Sequence, residues 1–246
     1  MTQLSEKVQQ TGQWLFRWRS FLPLFVIPLF LIALKGRTYR ADDHLLDALW
    51  EIMCFVISFL GFGIRVYTVG HVPECTSGRN THRQKANSLN TTGAYSMVRH
   101  PLYIGNFLIW FGVVLFVRSL FFSIVAVLLF FLYYRLIIFA EEEFLREKFG
   151  RAFDEWAAKT PAIFPRFTNW KSPALPFLLR MVLKREYSAF FFIAISFTCL
   201  EVLGDFFYEG KWHIGWPYIL ILLVGAVAYV SLRALKKRHR LDIEGR

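Results

Sequence analysis

Two short groups of ionisable residues in this chain have the types and spacing that chemistry at a membrane surface requires. Arg99-His100-Pro101-x-Tyr103 sets a cation, an imidazole and a phenol at the start of one apolar run, and Glu141-Glu142-Glu143 sets three carboxylates at the end of the next. Pro101 fits the first helical position, where its missing N–H costs nothing, and it pushes His100 towards an extended conformation just before the helix. The free N–H groups and positive dipole end of that helix suit a carboxylate or a phosphate. Carboxylates at a helix C-terminus oppose the dipole, unless partners or a positively charged ligand offset them. Arg135 precedes Glu142 by two helical turns and shares its stripe. The plainer alternative is that Arg99 snorkels, His100 caps, Tyr103 joins an aromatic belt and the carboxylates form a solvated charge run.

The elements that must position these groups follow from composition. Of the residues, 55% are hydrophobic, Phe occurs 27 times and 19% are charged, where a soluble domain has about a quarter charged. Apolar runs at 14–34, 45–69, 102–118, 119–140, 187–207 and 215–235 approach the ~20 residues that span a bilayer. They predict an all-α, polytopic integral membrane helical bundle of about six transmembrane helices. The first run is the shortest, since Phe21 to Leu34 would rise only ~21 Å against a ~30 Å hydrocarbon core, and Arg17 and Arg19 would have to snorkel. Pro23 and Pro28 interrupt it and Lys35-Gly36-Arg37 follows it, which is no signal-peptide cleavage site. With the N-terminus inside, 24 of the 29 Lys and Arg fall in inner segments, so both termini and both ionisable corners are expected at the cytoplasmic face. The net charge of +11 is then explained by anionic lipid headgroups, and its scatter along membrane flanks argues against nucleic acid. Cys54 and Cys199 fall within predicted spans, and Cys75, His71 and His82 match no zinc spacing, so neither disulfide nor metal is expected.

Residues 71–98 are rich in Asn, Thr, Ser, Gly and basic groups and predict a long polar loop. The third and fourth spans meet at Arg118-Ser119 and must form a tight hairpin. Phe144, Leu145, Phe149, Phe153 and Trp156 then repeat at helical spacing with charges between them, predicting an interfacial helix that Pro161 and Pro165 end. A basic amphipathic stretch, Phe177 to Arg185, lies beyond Pro173 and Pro176.

The ordered set Gly93-x-Tyr95, Arg99-His100-Pro101-x-Tyr103, Glu141-Glu142-x-x-Leu145, Phe149-Gly150 and Pro165 closely resembles the isoprenylcysteine carboxyl methyltransferase superfamily of integral membrane methyltransferases. The resemblance covers about residues 90 to 166. It implies S-adenosylmethionine as methyl donor, held at the cytoplasmic side between the two corners, with a lipid entering laterally from the bilayer. By position, His100, Pro101 and Tyr103 would contact the cofactor, Arg99 would share that wall, Gly93 and Tyr95 would shape its loop, Glu142 would lie near the methyl group, and Glu141 would accompany it. Glu142 and His100 are the expected catalytic pair. The chain would divide into two N-terminal transmembrane helices (1–70), a methyltransferase core (71–170) and a C-terminal segment with two more (171–246).

The resemblance also shows a departure. An Arg is expected five residues before the second Glu, where this chain has Ile137, which counts against a prenylcysteine carboxylate as acceptor. The loop Thr76-Ser77-Gly78-Arg79-Asn80-Thr81 with Leu89-Asn90-Thr91-Thr92-Gly93 looks like the bacterial subgroup that methylates the phosphate of lipid A, which implies a multi-pass protein of the inner membrane. Arg65, Arg79, Arg83 and Arg135, with Lys85, are the candidate ligands of a lipid phosphate through charge-assisted hydrogen bonds. For the loop residues, ordinary positive-inside charge is the alternative. Such a phosphate is anionic at neutral pH, so it attacks the sulfonium methyl without a general base, whereas an amine acceptor must lose a proton and would use Glu142. A lipid-sensing module without catalysis would need the basic loops but not His100, Tyr103 or the Glu pair, and no inverted repeat suggests a transporter.

Overall fold

The computed structural model describes residues 11, 14–15, 27–36, 44–73 and 86–242. Among these, every regular element is helical: α1 (Ile27–Lys35), α2 (His44–Gly70), α3 (Ala94–Met97), α4 (Pro101–Leu115), α5 (Leu120–Phe149), α6 (Arg151–Lys159), a 3-10 turn (Phe167–Asn169), α7 (Leu179–Glu209) and α8 (Trp216–Lys237). Four of them, α2, α5, α7 and α8, are long and apolar enough to cross a membrane. Leu120, Phe121, Leu128 and Leu132 on α5 and Leu223, Val227 and Val230 on α8 are exposed, as side chains that face lipid would be.

Small residues bring α2 and α4 together. A Cβ at Gly112 would collide with Ser58 Oγ and the Cys54 carbonyl, and one at Gly61 would lie 2.6 Å from the Gly105 carbonyl oxygen. Close approach of this kind is how helices pack where no hydrophobic driving force separates lipid from side chain. Ser58 Oγ donates to the Ile109 carbonyl at 2.9 Å across the same contact. The larger apolar cluster draws on α1, α2, α4, α5, α7 and α8, with Phe30, Cys54, Phe116, Phe122, Phe197 and Tyr218 among its buried members. Phe197 is the hub: Phe55 stacks on it at 4.1 Å and Phe116 meets it edge-on at 5.1 Å.

Three expectations about spans change. The 102–118 span is the 15-residue α4, which rises about 22 Å and is short of a ~30 Å core. The chain leaves the helix at Phe116 and turns through Arg118, whose φ is 62°, before Ser119 caps α5 by accepting from Phe122 N. The interfacial helix does not begin at Phe144, because α5 runs unbroken to Phe149 and only Gly150, at φ 53°, starts α6. Nor is Phe177 to Arg185 separate from the 187–207 span: α7 is continuous from Leu179 to Glu209. The 14–34 span lies largely outside the described residues, and α1 is its end.

Candidate active site

The backbone that carries the basic corner is laced to a later segment. Gly93, at φ 59°, donates its N–H to the Lys171 carbonyl at 3.0 Å, and its missing side chain leaves room for Pro173. Ser96 Oγ donates to Gly93 O at 2.7 Å and accepts from Lys171 N at 2.9 Å. Arg166 N donates to Met97 O and Arg99 N to Pro161 O, both at 2.9 Å, and Trp156 Nε1 donates to Tyr95 O at 3.1 Å. Residues 93–99 therefore have a fixed course before α4 begins.

His100 is the N-cap residue of α4, with Pro101 at its first position and no side-chain cap bond. The imidazole turns instead to α5, two turns before that helix ends. Nε2 lies 3.0 Å from Glu142 Oε1, and because a carboxylate only accepts, Nε2 carries the proton. Arg99 approaches the same carboxylate: its Nε is 2.8 Å from Oε1, an ion pair whose N–H is not aligned for a hydrogen bond, and Nη2 donates to Oε2 at 3.4 Å. Its Nη1 donates to the carbonyls of Ala157 at 2.8 Å and Thr160 at 3.1 Å, closing the C-terminal turn of α6. Glu141 takes the next contacts. Tyr103 donates its hydroxyl to Glu141 Oε2 at 2.6 Å, His100 Nδ1 lies 3.7 Å from the same atom, and the Tyr103 and His100 rings stack at 5.4 Å.

The structure thus joins Arg99, His100, Tyr103, Glu141 and Glu142, residues 38 to 43 positions apart across the hairpin. Because α5 runs on to Phe149, Glu141 and Glu142 do not stand at its C-terminus as expected, and with Arg99 offsetting Glu142 no ligand is needed to explain their place. Glu142 is the more enclosed, at 17% side-chain exposure against 31% for Glu141. Glu143, at 18% exposure, pairs instead with Arg146 at 2.9 Å, which also meets Asp154 on α6. Burial raises the pKa of the Tyr95 phenol; the Glu141 charge adds to this, and Arg185 and Arg65 oppose it.

The expected phosphate ligands fare differently. Arg65 donates from Nε and Nη2 to Glu186 at 2.7 and 2.8 Å, and from Nη1 to Asn106 Oδ1, so three of its nitrogens already have protein partners. Arg135 lies on the exposed side of α5, about 22 Å from the start of that helix and outside the hydrogen-bonded group. Arg79, Arg83 and Lys85 lie outside the described residues. Ile137 is 1% exposed and packs in the interior, so its position offers no cation.

A second layer was not foreseen. Asn106 Nδ2 donates to the Tyr134 hydroxyl at 3.0 Å, and the Tyr134 ring meets Tyr103 edge-on at 4.8 Å. Glu186, Arg65, Asn106 and Tyr134 therefore form a polar chain through the bundle that ends against the site. Asn106 could have been noticed as the one amide in an apolar run, whereas Tyr134 among aromatic neighbours carries no such signal.

The family model for phospholipid methyltransferases matches residues 51–152, a stretch that holds both corners of the site. That family falls within the isoprenylcysteine carboxyl methyltransferase-like superfamily of membrane methyltransferases, in line with the motif resemblance. Over 150 residues the chain is 35% identical to the nickel-cobalt-cadmium resistance protein NccN of Alcaligenes xylosoxydans xylosoxydans, covering 60% of this chain and 64% of that protein. Over 112 residues it is 39% identical to the cobalt-zinc-cadmium resistance protein CzcN of Cupriavidus metallidurans, covering 44% and 49%. The chain spans less than two thirds of either relative's length. No solved structure matches it.

Proposed function

We propose that this protein is an S-adenosylmethionine-dependent methyltransferase acting on a membrane lipid at the cytoplasmic face of a bacterial inner membrane, with the phosphate of lipid A as acceptor. The observation that carries the reading is the closure of Arg99-His100-x-x-Tyr103 on Glu141-Glu142 within the segment matched by a lipid methyltransferase family. In this reading the apolar runs make six spans, and the bias of Lys and Arg supports both termini in the cytoplasm and the site on that side.

The donor set suits the cofactor's polar groups. Glu141 is about a third exposed and accepts the Tyr103 hydroxyl, and a carboxylate has capacity for more than one donor, which fits an ammonium. The dipole end of α4 beside His100 fits a carboxylate. When bound, S-adenosylmethionine supplies an electrophilic methyl group on a sulfonium.

Glu142, clamped by Arg99 and His100, holds the corner in shape. An anionic phosphate needs no base, so this chain's contribution is placement, and orienting two bound reactants is worth ~7–11 kcal/mol of barrier. Arg135, on the exposed side of α5 and within the hydrocarbon layer by length, would snorkel to meet the headgroup of a lipid arriving sideways. Arg79 and Arg83 complete the acceptor side in this reading.

A phospholipid amine is the second reading. Two observations favour it: the matched family is that of phospholipid methyltransferases, and a His100–Glu142 pair at 3.0 Å can take up the proton an amine must lose. The test is radiolabelled methyl transfer by the purified protein in vesicles, with mass spectrometry of the product. A methyl on the lipid A phosphate supports the first reading, and one on an amine headgroup replaces it with the second. If His100→Ala and Glu142→Gln transfer methyl like the parent, the site assignment fails.

A further inference from the structure

Residues 161–185 contain Arg166, Lys171, Arg180, Lys184 and Arg185 and not one Asp or Glu. The preceding helix α6, by contrast, mixes signs with Asp154 and Glu155 among its basic residues. Within this acid-free stretch Phe164 is 79% exposed, Phe167 75% and Trp170 47%. A chain with so much open aromatic surface would ordinarily collapse onto something. Here the backbone is held in place: Arg166 N bonds Met97 O, Lys171 N bonds Ser96 Oγ, Ala174 N bonds Thr92 Oγ1 and Leu178 N bonds Gly70 O at 2.9 Å. The rings are exposed on a fixed support.

The height of this support along the bundle is set by α2 and α7. The Trp170 ring lies 6.2 Å from Tyr67, one turn before the end of α2, and a Cβ at Gly70 would collide with the Phe177 ring. Leu179, two residues further, starts the membrane-length helix α7. Trp170, Phe177 and Leu178 therefore sit level with the end of α2, where hydrocarbon gives way to headgroups, and the backbone bonds above fix the segment that carries Phe164 and Phe167 beside them. Aromatic rings with basic residues and no acids are the composition that this layer selects when its lipids are anionic.

We propose that residues 164–180 form a membrane-docking platform whose partner is the anionic inner leaflet, with Phe164 and Phe167 immersed among the acyl-chain ends and Arg166, Lys171 and Arg180 on lipid phosphates. The platform rests on the orientation given above but not on methyl transfer. Because its backbone is bonded to residues 92–99, it holds the bilayer surface beside His100 and Glu142.

The test places a nitroxide at Phe167→Cys in the full chain carrying Cys54→Ala, Cys75→Ser and Cys199→Ala, reconstituted in phosphatidylcholine vesicles with and without phosphatidylglycerol. Collision with oxygen, which partitions into hydrocarbon, is compared with collision with a polar nickel chelate; a label at Leu128→Cys on α5 marks the hydrocarbon. The expected result is oxygen-dominated collision at Phe167, shifted further towards oxygen by phosphatidylglycerol, with that shift lost when Arg166, Lys171 and Arg180 are changed to Gln. Chelate-dominated collision, as in water, overturns the platform, and so does a protein partner that protects the label from both. Depth that does not respond to phosphatidylglycerol overturns the anionic partner. Phe164→Cys repeats the reading where the Phe167 label perturbs folding, and methyl transfer by the same samples reports separately on the function proposed above.

Discussion

The α4–α5 hairpin carries a charged cluster at each end, and the two are built for different purposes. At its turn, Arg118 reaches the Asp47 carboxylate and, at 3.7 Å, Glu51, while the Tyr218 hydroxyl donates to Glu51 at 2.8 Å and Trp50 Nε1 donates to the Leu115 carbonyl at 3.1 Å. These contacts clasp α2, α8 and the hairpin together beside a cavity of about 380 Å³ lined by Leu46, Trp50, Ser119 and Ser123 among others. At the open end, Arg99 also pairs with a carboxylate, but an imidazole, a phenol and a second, more open carboxylate stand with it. The stretch matched by the methyltransferase family takes in Arg118 and Glu51 of the clasp but not Asp47, Trp50 or Tyr218, whereas all five residues of the other cluster lie inside it. Ion pairs at a membrane boundary are therefore not a site by themselves. A site also needs groups with spare hydrogen-bonding capacity.

The largest effect is expected behind the open cluster. Glu186→Leu strands Arg65 in the interior and should cost about 3–5 kcal/mol of stability, read as a lowered midpoint of thermal unfolding in detergent. A midpoint like the parent's would mean that the polar chain supports nothing. Next, Glu142→Gln releases the corner that Arg99 and His100 hold, and a misplacement near 1 Å costs about 100-fold in rate, so methyl transfer should fall by about that factor. Its unfolding midpoint should move less than that of Arg118→Gln. Arg118→Gln leaves Asp47 and Glu51 without their cation and should cost about 1–3 kcal/mol, with methyl transfer per folded molecule unchanged. If these two variants exchange phenotypes, the contrast between the ends is wrong. Tyr218→Phe removes one bond of the clasp and should cost about 1 kcal/mol.

The smallest effect concerns pH. Hydrogen bonds from Lys184 and His239 hold the Asp242 carboxyl below its ordinary value. A depressed acid contributes stability above its unfolded pKa, here near 3.8, and loses it as pH falls through the lower folded value. The protection of the amides of residues 238–242, taken relative to the intrinsic exchange rate at each pH, should therefore fall in acid, and Lys184→Ala should weaken that dependence.

The pairing of His100 with Glu142 was legible because each corner had its own local signal, a proline at a helix start and carboxylates where an apolar run ends, although α5 itself continues to Phe149. Hairpin closure at Arg118-Ser119 then required the two to meet. The four long helices were legible from length and apolarity for the same reason. The continuity of α7 was available too, since no Gly or Pro interrupts 179–203, yet the change from amphipathic to apolar residues suggested a break. Other features had no local trace. Arg65 had the form of a lipid ligand until a carboxylate 121 residues away filled its fork. Arg118 was one of five outer charges and gave no hint of Asp47. That α4 stops at Leu115 follows from the turn's burial, with Phe116 and Val117 both 0% exposed, and not from any helix-ending residue.

Arg99 has one further consequence. Its guanidinium is shared between the Glu142 carboxylate and the last carbonyls of α6, so the seating of that helix and the charge balance at Glu142 draw on the same cation. By thermodynamic reciprocity, whatever tightens Arg99 on Glu142 alters the hold on α6 by an equal free energy, and whatever lifts α6 alters Glu142. Occupancy of the site should thus be audible outside it, as a change in how readily a protease nicks the chain at Gly150.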